Sequence, residues 1–234
     1  MLTCEYIGHS GFIFETSKHI LFFDVAKGVI PQHYINSDKE KTIFISHHHC
    51  NHFNRSITAL KERIIASLDV PLKGISNVFF VMESDTIYSH DLKIKVFGST
   101  DEGVSYLVDT QEGIIFHAGD YNDWHWNQEV SEEESELSHL KFKAILEDIK
   151  GHAIDVACFP CDQRLGPDYT QGPIEFIKEL QPKVFVAMHH QLNQSLETLT
   201  HQAFVVNPRI KLFIPTQANQ KIELHLQKMS FNLE

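Results

Sequence analysis

Four histidines occur within six positions, directly after a short run of apolar residues. The run is Ile43–Ser46, and the histidines are His47, His48, His49 and His52. Such a run predicts a buried strand, so the histidines fall where the strand ends and a loop begins, a usual place for a functional site. Side chains two positions apart on an extended segment point the same way. We therefore expect His47 and His49 to share a metal ion while His48 points elsewhere.

A solvated histidine-rich loop is the alternative interpretation of this cluster. A purification tag does not fit, because tags lie at chain ends and run uninterrupted, whereas this cluster is internal. Imidazole is the commonest nitrogen ligand for zinc and suits neighbouring transition ions. Several imidazoles converging on one point are hard to explain as packing, so the metal site is the favoured interpretation.

Length and charge bound the kind of protein and its partners. A chain of 234 residues can bury one sizeable core, and we expect a single domain over residues 1–234. The apolar share of 42% and the charged share of 22% are ordinary for a soluble globular protein. The net charge of −11 argues against tight binding to a phosphate backbone, which needs clustered lysine and arginine. Nucleic acid is therefore an unlikely partner.

The N-terminal residues lack a basic region followed by an apolar core, and no run approaches the ~18 apolar residues that a membrane helix needs. We expect a cytoplasmic protein with no membrane partner and with reduced cysteines. Cys158 and Cys161 have C-x-x-C spacing, but a second pair for a zinc ribbon is missing, so buried or loop thiols are the favoured interpretation. The sequence leaves a homo-oligomer open.

Apolar patterns and turn residues predict the order of strands and helices. The expected strands are 2–7, 11–16, 19–25, 42–46, 63–67, 77–82, 85–89, 92–98, 104–108, 114–117, 155–159 and 183–188, with a closing pair at 210–214 and 221–226. The expected helices are 54–63, capped by Asn54, 131–150, 172–181 and 195–206. In the helix over 131–150 we expect Leu137, Leu140, Ala144 and Ile145 to face inward.

Three stretches occur in an order that resembles a known superfamily. Ser46-His47-x-His49-x-Asn51-His52 is similar to the H-x-H-x-D-H motif of the metallo-β-lactamase fold superfamily, with Asn in place of Asp. The stretch Phe116–Asp120 resembles the strand that ends in Gly-Asp, and Val186–His189 resembles the late strand that delivers the last histidine. The segment Tyr6–Asp24 is similar to the opening hairpin. The likeness is greatest to bacterial members near the L-ascorbate-6-phosphate lactonase branch.

The resemblance implies an α+β fold of the αββα type, a four-layer sandwich of two mixed β-sheets flanked by helices. It also implies a centre for one or two divalent ions. We expect one ion on His47, His49 and Asp120, and the other on Asp120, His52 and His189. Asn51 would assist at the second ion. The expected metal ligands are thus His47, His49, Asn51, His52, Asp120 and His189.

Two positions depart from the superfamily pattern. Asn51 replaces an aspartate, which removes a negative charge and a possible proton acceptor. Ser99 or Thr100 stands where the superfamily usually has a histidine, and neutral hydroxyls are poor zinc ligands. Zinc remains the expected ion, and the amide oxygen of Asn51 makes manganese a plausible second choice.

Three further residues are expected to bind substrate. The proximity of Asp120 would put Trp124 and His125 at the lip of the cavity, although packing of the tryptophans in the core is an equal alternative. Arg164 lies in a loop that the resemblance turns toward the site and would contact an anionic group; a surface ion pair is the alternative. His117 would orient a metal ligand through a hydrogen bond.

The leading function is hydrolysis by a metal-activated water of a small, possibly anionic substrate, such as a lactone, an ester or a phosphoester. One alternative is a degenerate protein that keeps the fold and binds a ligand or partner without catalysis, suggested by Asn51 and by the missing histidine. A further alternative is a nuclease, against which the acidic charge argues.

Overall fold

The computed structural model describes residues 2–126 and 129–226, and the strands of these residues form two sheets. The first sheet has the spatial order 14-1-2-3-4-5-6. Its strands are β1 (Leu2–Gly8), β2 (Gly11–Glu15), β3 (His19–Phe23), β4 (Glu40–Ile45), β5 (Arg63–Ser67), β6 (Val78–Val81) and β14 (Gln220–Leu224).

The second sheet has the spatial order 13-12-11-10-9-8-7. Its strands are β7 (Thr86–Ser89), β8 (Leu92–Gly98), β9 (Val104–Asp109), β10 (Ile114–His117), β11 (Val156–Pro160), β12 (Val184–Met188) and β13 (Lys211–Phe213).

Both sheets are mixed, and their parallel halves position the site. Strands β3, β4, β5 and β6 pair in parallel in the first sheet, as do β10, β11, β12 and β13 in the second. Parallel neighbours carry their carboxyl ends to the same edge of a sheet, and ligands of open α/β sheets bind outside those ends. Residues that follow β3, β4, β10, β11 and β12 therefore meet at one edge of the molecule.

Side-chain alternation divides the apolar residues of the first sheet between two cores. On β3, Leu21 and Phe23 join the large cluster between the sheets, whereas Ile20 and Phe22 join a smaller cluster on the outer face. This is the period of two that a strand with both faces buried requires. The rings of Phe23 and Phe44 stack in the large cluster with centroids 4.5 Å apart.

Helices cover the outer faces of the sheets. They are α1 (Gln32–Ile35), α2 (Glu132–Ile149), α3 (Gln171–Leu180) and α4 (Glu197–Val206), with 3₁₀ helices at Arg55–Leu60 and Gln163–Asp168. Helix α2 packs against β8 and α3, and α3 packs against α4. Ser131 and Glu134 form a capping box at the start of α2. The predicted sandwich of two mixed sheets flanked by helices is confirmed. None of the helices in the described residues is long and apolar enough to span a membrane.

Two local predictions were wrong. Asn54 caps a helix as expected, but this is a 3₁₀ helix over Arg55–Leu60, closed by the left-handed residue Lys61, and it does not reach residue 63. The two closing strands do not pair with each other: β13 extends the second sheet beside β12, and β14 extends the first beside β1. Pairing between strands that are distant in sequence decides where β13 and β14 lie, and local sequence patterns do not show that pairing.

Of the four residues predicted to face inward on α2, only Ile145 packs against the core, and Ala144 is exposed. Leu137 and Leu140 are 54% and 58% exposed, whereas Phe142, Leu146 and Ile149 are buried. The buried residues keep the i, i+4, i+7 spacing of a helix face, but only the C-terminal half of α2 reaches the core.

Candidate metal centre

The order of strands in the two sheets brings five widely separated segments to one edge of the molecule, and each supplies a polar side chain. Asp24 follows β3, His47 begins the loop after β4, Asp120 follows β10, Asp162 follows β11 and His189 follows β12. All five are buried. Burial of so many polar groups would be costly unless each contacts another polar or charged group. The contacts among these side chains therefore decide what the site can bind.

His47, His49 and Asp120 form the first group. Each offers one ligand atom, and these atoms all lie within 4.8 Å of one another. Nε2 of His47 is 3.3 Å from Oδ2 of Asp120. His48 turns away, and its Nδ1 lies 2.8 Å from Oδ2 of Asp69 at the surface. The alternation expected for the histidine cluster therefore places two of its rings on one side.

His52 and His189 approach the other oxygen of Asp120. Their Nε2 atoms lie 3.0 Å and 2.9 Å from Oδ1 of Asp120, and 2.9 Å from each other. Asp120 thus faces the first group with one oxygen and this second pair with the other. A carboxylate placed in this way is suited to bridge two ions.

The donor atoms fit a divalent ion. Nε2 of His47 and Oδ1 of Asp120 are buried and make no hydrogen bond of good geometry within the described part of the chain, although ring nitrogens lie close to Asp120. Ligand atoms about 2.0–2.2 Å from one tetrahedral ion lie roughly 3.3 Å apart, close to the separations of His52, His189 and Asp120. Nε2 of His52 and Nε2 of His189 both lie close to Oδ1 of Asp120 and to each other. A proton on either nitrogen can satisfy only one of these contacts. A cation satisfies all of these lone pairs at once.

Charge around the site supports the same conclusion. Burial raises the pKa of Asp120, but His189, His47 and His52 outweigh burial and hold it far below its usual range. Burial lowers the pKa of His52, but hydrogen bonds to Asp120 and Asp24 raise it to about 9. Asp120 is therefore ionised at neutral pH and ready to face a cation.

A second layer of hydrogen bonds orients the imidazoles. Nδ1 of His52 donates to Oδ2 of Asp24 over 2.7 Å, and Nδ1 of His47 lies 2.9 Å from Oγ of Ser46. Nδ1 of His189 is 3.7 Å from Oδ2 of Asp162. A histidine that binds metal through one nitrogen commonly donates its other N–H to a carboxylate, which is the arrangement of His52 with Asp24.

His117 lies beneath this layer. Its Nε2 donates to the carbonyl of Ser10 over 2.9 Å, and its Nδ1 accepts from the N–H of Gly119 at 3.3 Å. Burial lowers its pKa. His117 therefore fixes the backbone of Ser10 and Gly119, and its Nδ1 is 3.9 Å from Asp24. The structure places it beside the residue that orients a ligand, and not directly against one of the expected ligands.

The side chains of Asn51 and Thr100 are engaged in local contacts. Nδ2 of Asn51 lies 2.8 Å from Nε2 of His9. Oγ1 of Thr100 donates to the carbonyl of Asn122 over 2.6 Å and accepts from its N–H at 3.0 Å. The hydroxyl of Thr100 is therefore occupied by the backbone, while both Asn51 and Thr100 line the cavity above the centre.

His9 was not anticipated. It belongs to the turn Gly8–Gly11, which the sequence indicates only as a connection between strands, and its ring lies 3.9 Å from that of His189, centroid to centroid. One ligand atom each of His9, His52 and His189 lie within 4.8 Å of one another. No signal in the sequence Gly8-His9-Ser10-Gly11 distinguishes a turn histidine from a site histidine.

A cavity of about 410 Å³ opens above the centre. Trp124 and Trp126 line it and stack with ring centroids 5.9 Å apart, and Nε1 of Trp124 donates to the carbonyl of Asp120 over 2.6 Å. Arg164 also lines it, with Cζ 5.9 Å from the centre of the Trp126 ring and with Nε 2.9 Å from Asp162. The structure thus places two of the three expected substrate-binding residues, Trp124 and Arg164, at the cavity.

His125 lies elsewhere, which corrects its expected position at the lip. It is 2% exposed, and its Nε2 is 3.2 Å from the carbonyl of Asp168. Trp124 and Trp126 line the cavity, whereas His125, between them in the chain, is buried in the protein interior.

No protein-family model matches the sequence, and no curated protein matches it. Solved structures do. A candidate metal-dependent hydrolase from Parabacteroides distasonis is 19% identical, covers 92% of this chain and 93% of its own, and superposes with a TM-score of 0.67. Igni18, a metallo hydrolase from Ignicoccus hospitalis, is 16% identical over 94% and 97% of the two chains, with a TM-score of 0.67.

The metallo-β-lactamase fold protein YhfI from Bacillus subtilis is 12% identical over 95% of this chain and 100% of its own, with a TM-score of 0.65. Identities this low establish architecture and leave chemistry to the residues of the site. Together with the two mixed sheets and the flanking helices, these likenesses show that the chain has the metallo-β-lactamase fold.

Proposed function

We propose that this protein is a metal-dependent hydrolase of a small substrate with a carbonyl or phosphoryl group. One observation carries the proposal: buried ligand atoms of His47 and Asp120 converge with those of His49, His52 and His189 at the floor of an open cavity. Packing gives no reason for this convergence, whereas hydrolysis at a metal centre does.

The protein residues divide the work. His47, His49 and Asp120 would hold one ion, and Asp120, His52 and His189 a second. A divalent ion, when bound, makes hydroxide available near neutral pH and polarises the oxygen under attack. Zinc fits the imidazole-rich donor set.

The cavity walls suggest the kind of substrate. A volume of about 410 Å³ suits a small molecule, and Trp124 with Trp126 offers a flat apolar wall. Arg164 lines the cavity and is held by Asp162 through Nε and Nη2, so its guanidinium would bind a carboxylate or phosphate of the substrate through Nη1. A lactone, ester or phosphoester with an anionic group is the class that these walls favour, in agreement with the lactonase-like branch that the motifs resemble.

The test combines metal analysis with a substrate panel. Purified protein is expected to contain zinc, and to hydrolyse at least one member of a panel of lactones, esters and phosphodiesters in a reaction that a chelator stops and zinc restores. His49→Ala should abolish turnover, whereas the matched surface variant His48→Ala should retain it. Stoichiometric metal with no turnover on the panel would count against the hydrolase.

A protein that binds a ligand without catalysis is the second candidate, and Asn51 favours it because an amide replaces the carboxylate of the motif. Asn51→Asp distinguishes the two. Appearance of activity only in Asn51→Asp would indicate a decayed enzyme, whereas activity already present in the unaltered protein would exclude that interpretation.

A further inference from the structure

His9 is held in a backbone conformation that aims its side chain at the metal centre. Its φ is +55°, in the left-handed region that residues other than glycine seldom adopt. Its N–H donates to the hydroxyl of Tyr6 over 2.7 Å, and its carbonyl accepts from the N–H of His189 at 3.4 Å. Such strain persists where surrounding contacts over-determine it, and it clusters at functional sites.

The ring of His9 completes a group of three imidazoles. Its centroid is 3.9 Å from that of His189 and 5.6 Å from that of His52. One ligand atom from each of the three lies within 4.8 Å of the others. Oδ1 of Asp120 is already within 3.0 Å of Nε2 of His52 and of His189. Three ring nitrogens and one carboxylate oxygen make a four-ligand set of the kind that zinc accepts.

Asn51 stands against His9 instead of facing the ion directly. Its amide nitrogen is 2.8 Å from Nε2 of His9. A half-turn of the Asn51 amide exchanges its N–H donor and its carbonyl acceptor. Asn51 can therefore hydrogen-bond to the ring of His9 whether or not that ring binds an ion.

We propose that His9, His52, His189 and Asp120 bind the second metal ion, and that Asn51 positions His9 without coordinating the ion. This rests on the proposed metal centre and deepens it. Replacing a carboxylate ligand by an imidazole moves the site from oxygen toward nitrogen donors, which favours zinc, cobalt or nickel over manganese and magnesium.

The test is metal binding by the intact chain, measured without any substrate. Apoprotein is titrated with Zn²⁺ by calorimetry, and the visible absorption bands of bound Co²⁺ report ligand number and geometry. We expect two ions per chain in the unaltered protein. His9→Ala should keep one ion and weaken the other by about 100-fold, the upper end of the cost of losing even an outer partner of a ligand. Asn51→Ala should weaken the same ion by about 10-fold.

Two control variants define the comparison. His201→Ala removes an exposed histidine on α4 and should leave both ions unchanged. His47→Ala should weaken the opposite ion, which separates the two sites. Circular dichroism of each apoprotein checks folding, and His9→Gln, which keeps a polar side chain of similar length, repeats the measurement if His9→Ala does not fold.

The outcomes separate this inference from the proposed function. Two ions of unchanged affinity in His9→Ala and His9→Gln would overturn the role of His9 while leaving the hydrolase centre intact. A loss in Asn51→Ala that matches or exceeds the loss in His9→Ala would make Asn51 the ligand and overturn the assignment. Absence of bound ions in the unaltered protein after exposure to Zn²⁺, Co²⁺ and Mn²⁺ would remove both proposals. A stronger preference for Mn²⁺ than for Zn²⁺ at the second site would contradict the nitrogen-rich set.

Discussion

A short hydrogen bond links His52, in the loop after β4, to Asp24, which follows β3. Nδ1 of His52 donates to Oδ2 of Asp24 over 2.7 Å. The same carboxylate accepts from the N–H of Ser46 over 2.7 Å and from its hydroxyl over 2.6 Å. Burial raises the pKa of Asp24, but the bond from His52 and nearby imidazoles outweigh it and lower the pKa overall. Asp24 therefore stays ionised and fixes the orientation of His52.

Asp24→Asn should weaken metal binding at His52 by about 10- to 100-fold, because loss of a carboxylate behind a ligating histidine reduces both its orientation and its basicity. Zn²⁺ titration of the apoprotein measures this. The matched control is Asp91→Asn, which breaks an exposed ion pair with Lys18 and should leave metal affinity unchanged. Equal affinities in Asp24→Asn and the unaltered protein would show that Asp24 serves the fold and does not support the metal centre.

Gly103→Ala should destabilise the protein strongly. Its φ is +72°, and an added Cβ would lie 2.0 Å from the carbonyl oxygen of Ser46 and 2.6 Å from Cβ of His47. The left-handed backbone costs about 1–2 kcal/mol for alanine, and the overlap adds about 1–3 kcal/mol. Because Ser46 and His47 must move, metal affinity should also fall. Chemical denaturation and Zn²⁺ titration measure the two effects.

Gly74→Ala is the matched control for that variant. Gly74 also has a left-handed φ, +89°, but an added Cβ there meets nothing within 4 Å. It should lose only the backbone contribution of about 1–2 kcal/mol and keep its metal affinity. If both variants lose equal stability, the contact of Gly103 with the histidine loop has no energetic consequence.

The sequence predicted most strands and the groups that end them, because these depend on local patterns. Val/Ile/Phe runs identify the strands before His47, Asp120 and His189, and the superfamily order relates the three. The fold followed from the same order. What failed was decided by distant contacts. The pairing partners of β13 and β14 and the buried face of α2 depend on how the sheets assemble, which local periodicity does not encode.

His9 illustrates the limit at the site. Gly8 and Gly11 mark the turn correctly, but nothing near them indicates that Asn51, 42 positions away, contacts the ring. His125 shows the converse: its position beside Trp124 predicted a shared surface, but its side chain is buried and lies 3.2 Å from the carbonyl of Asp168. Two residues that are neighbours in sequence, such as Trp124 and His125, share a site only if their side chains point the same way.

Arg164→Gln should raise KM by about tenfold for substrates with an anionic group and leave neutral analogues unaffected, since a lost charge contact of about 1.4 kcal/mol corresponds to that factor. The turnover number should change little, because Arg164 lies at the wall of the cavity and not at the reacting atoms. Steady-state kinetics on a substrate with and without a carboxylate measures this. Arg209→Gln removes an exposed arginine elsewhere and is the control.

Arg164 could instead act indirectly, by holding Asp162 in place, and kinetics can distinguish the two roles. Arg164 is paired with Asp162, whose Oδ2 is 3.7 Å from Nδ1 of His189. If Arg164 acts only by holding Asp162, then Arg164→Gln and Asp162→Asn should both lower the turnover number and should not distinguish anionic from neutral substrates.

Removing the metal should lower the melting temperature. An ion that binds the folded chain alone stabilises it by about 4 kcal/mol at a free concentration of ~1,000 Kd. For a chain of this length each kcal/mol shifts the midpoint by about 2–4 °C, so zinc should raise it by roughly 8–16 °C over the apoprotein. His9→Ala should retain part of this increase, because the ion on His47, His49 and Asp120 remains. Differential scanning fluorimetry with and without chelator measures the shift, and equal midpoints would mean that the converging imidazoles bind no ion in the folded protein.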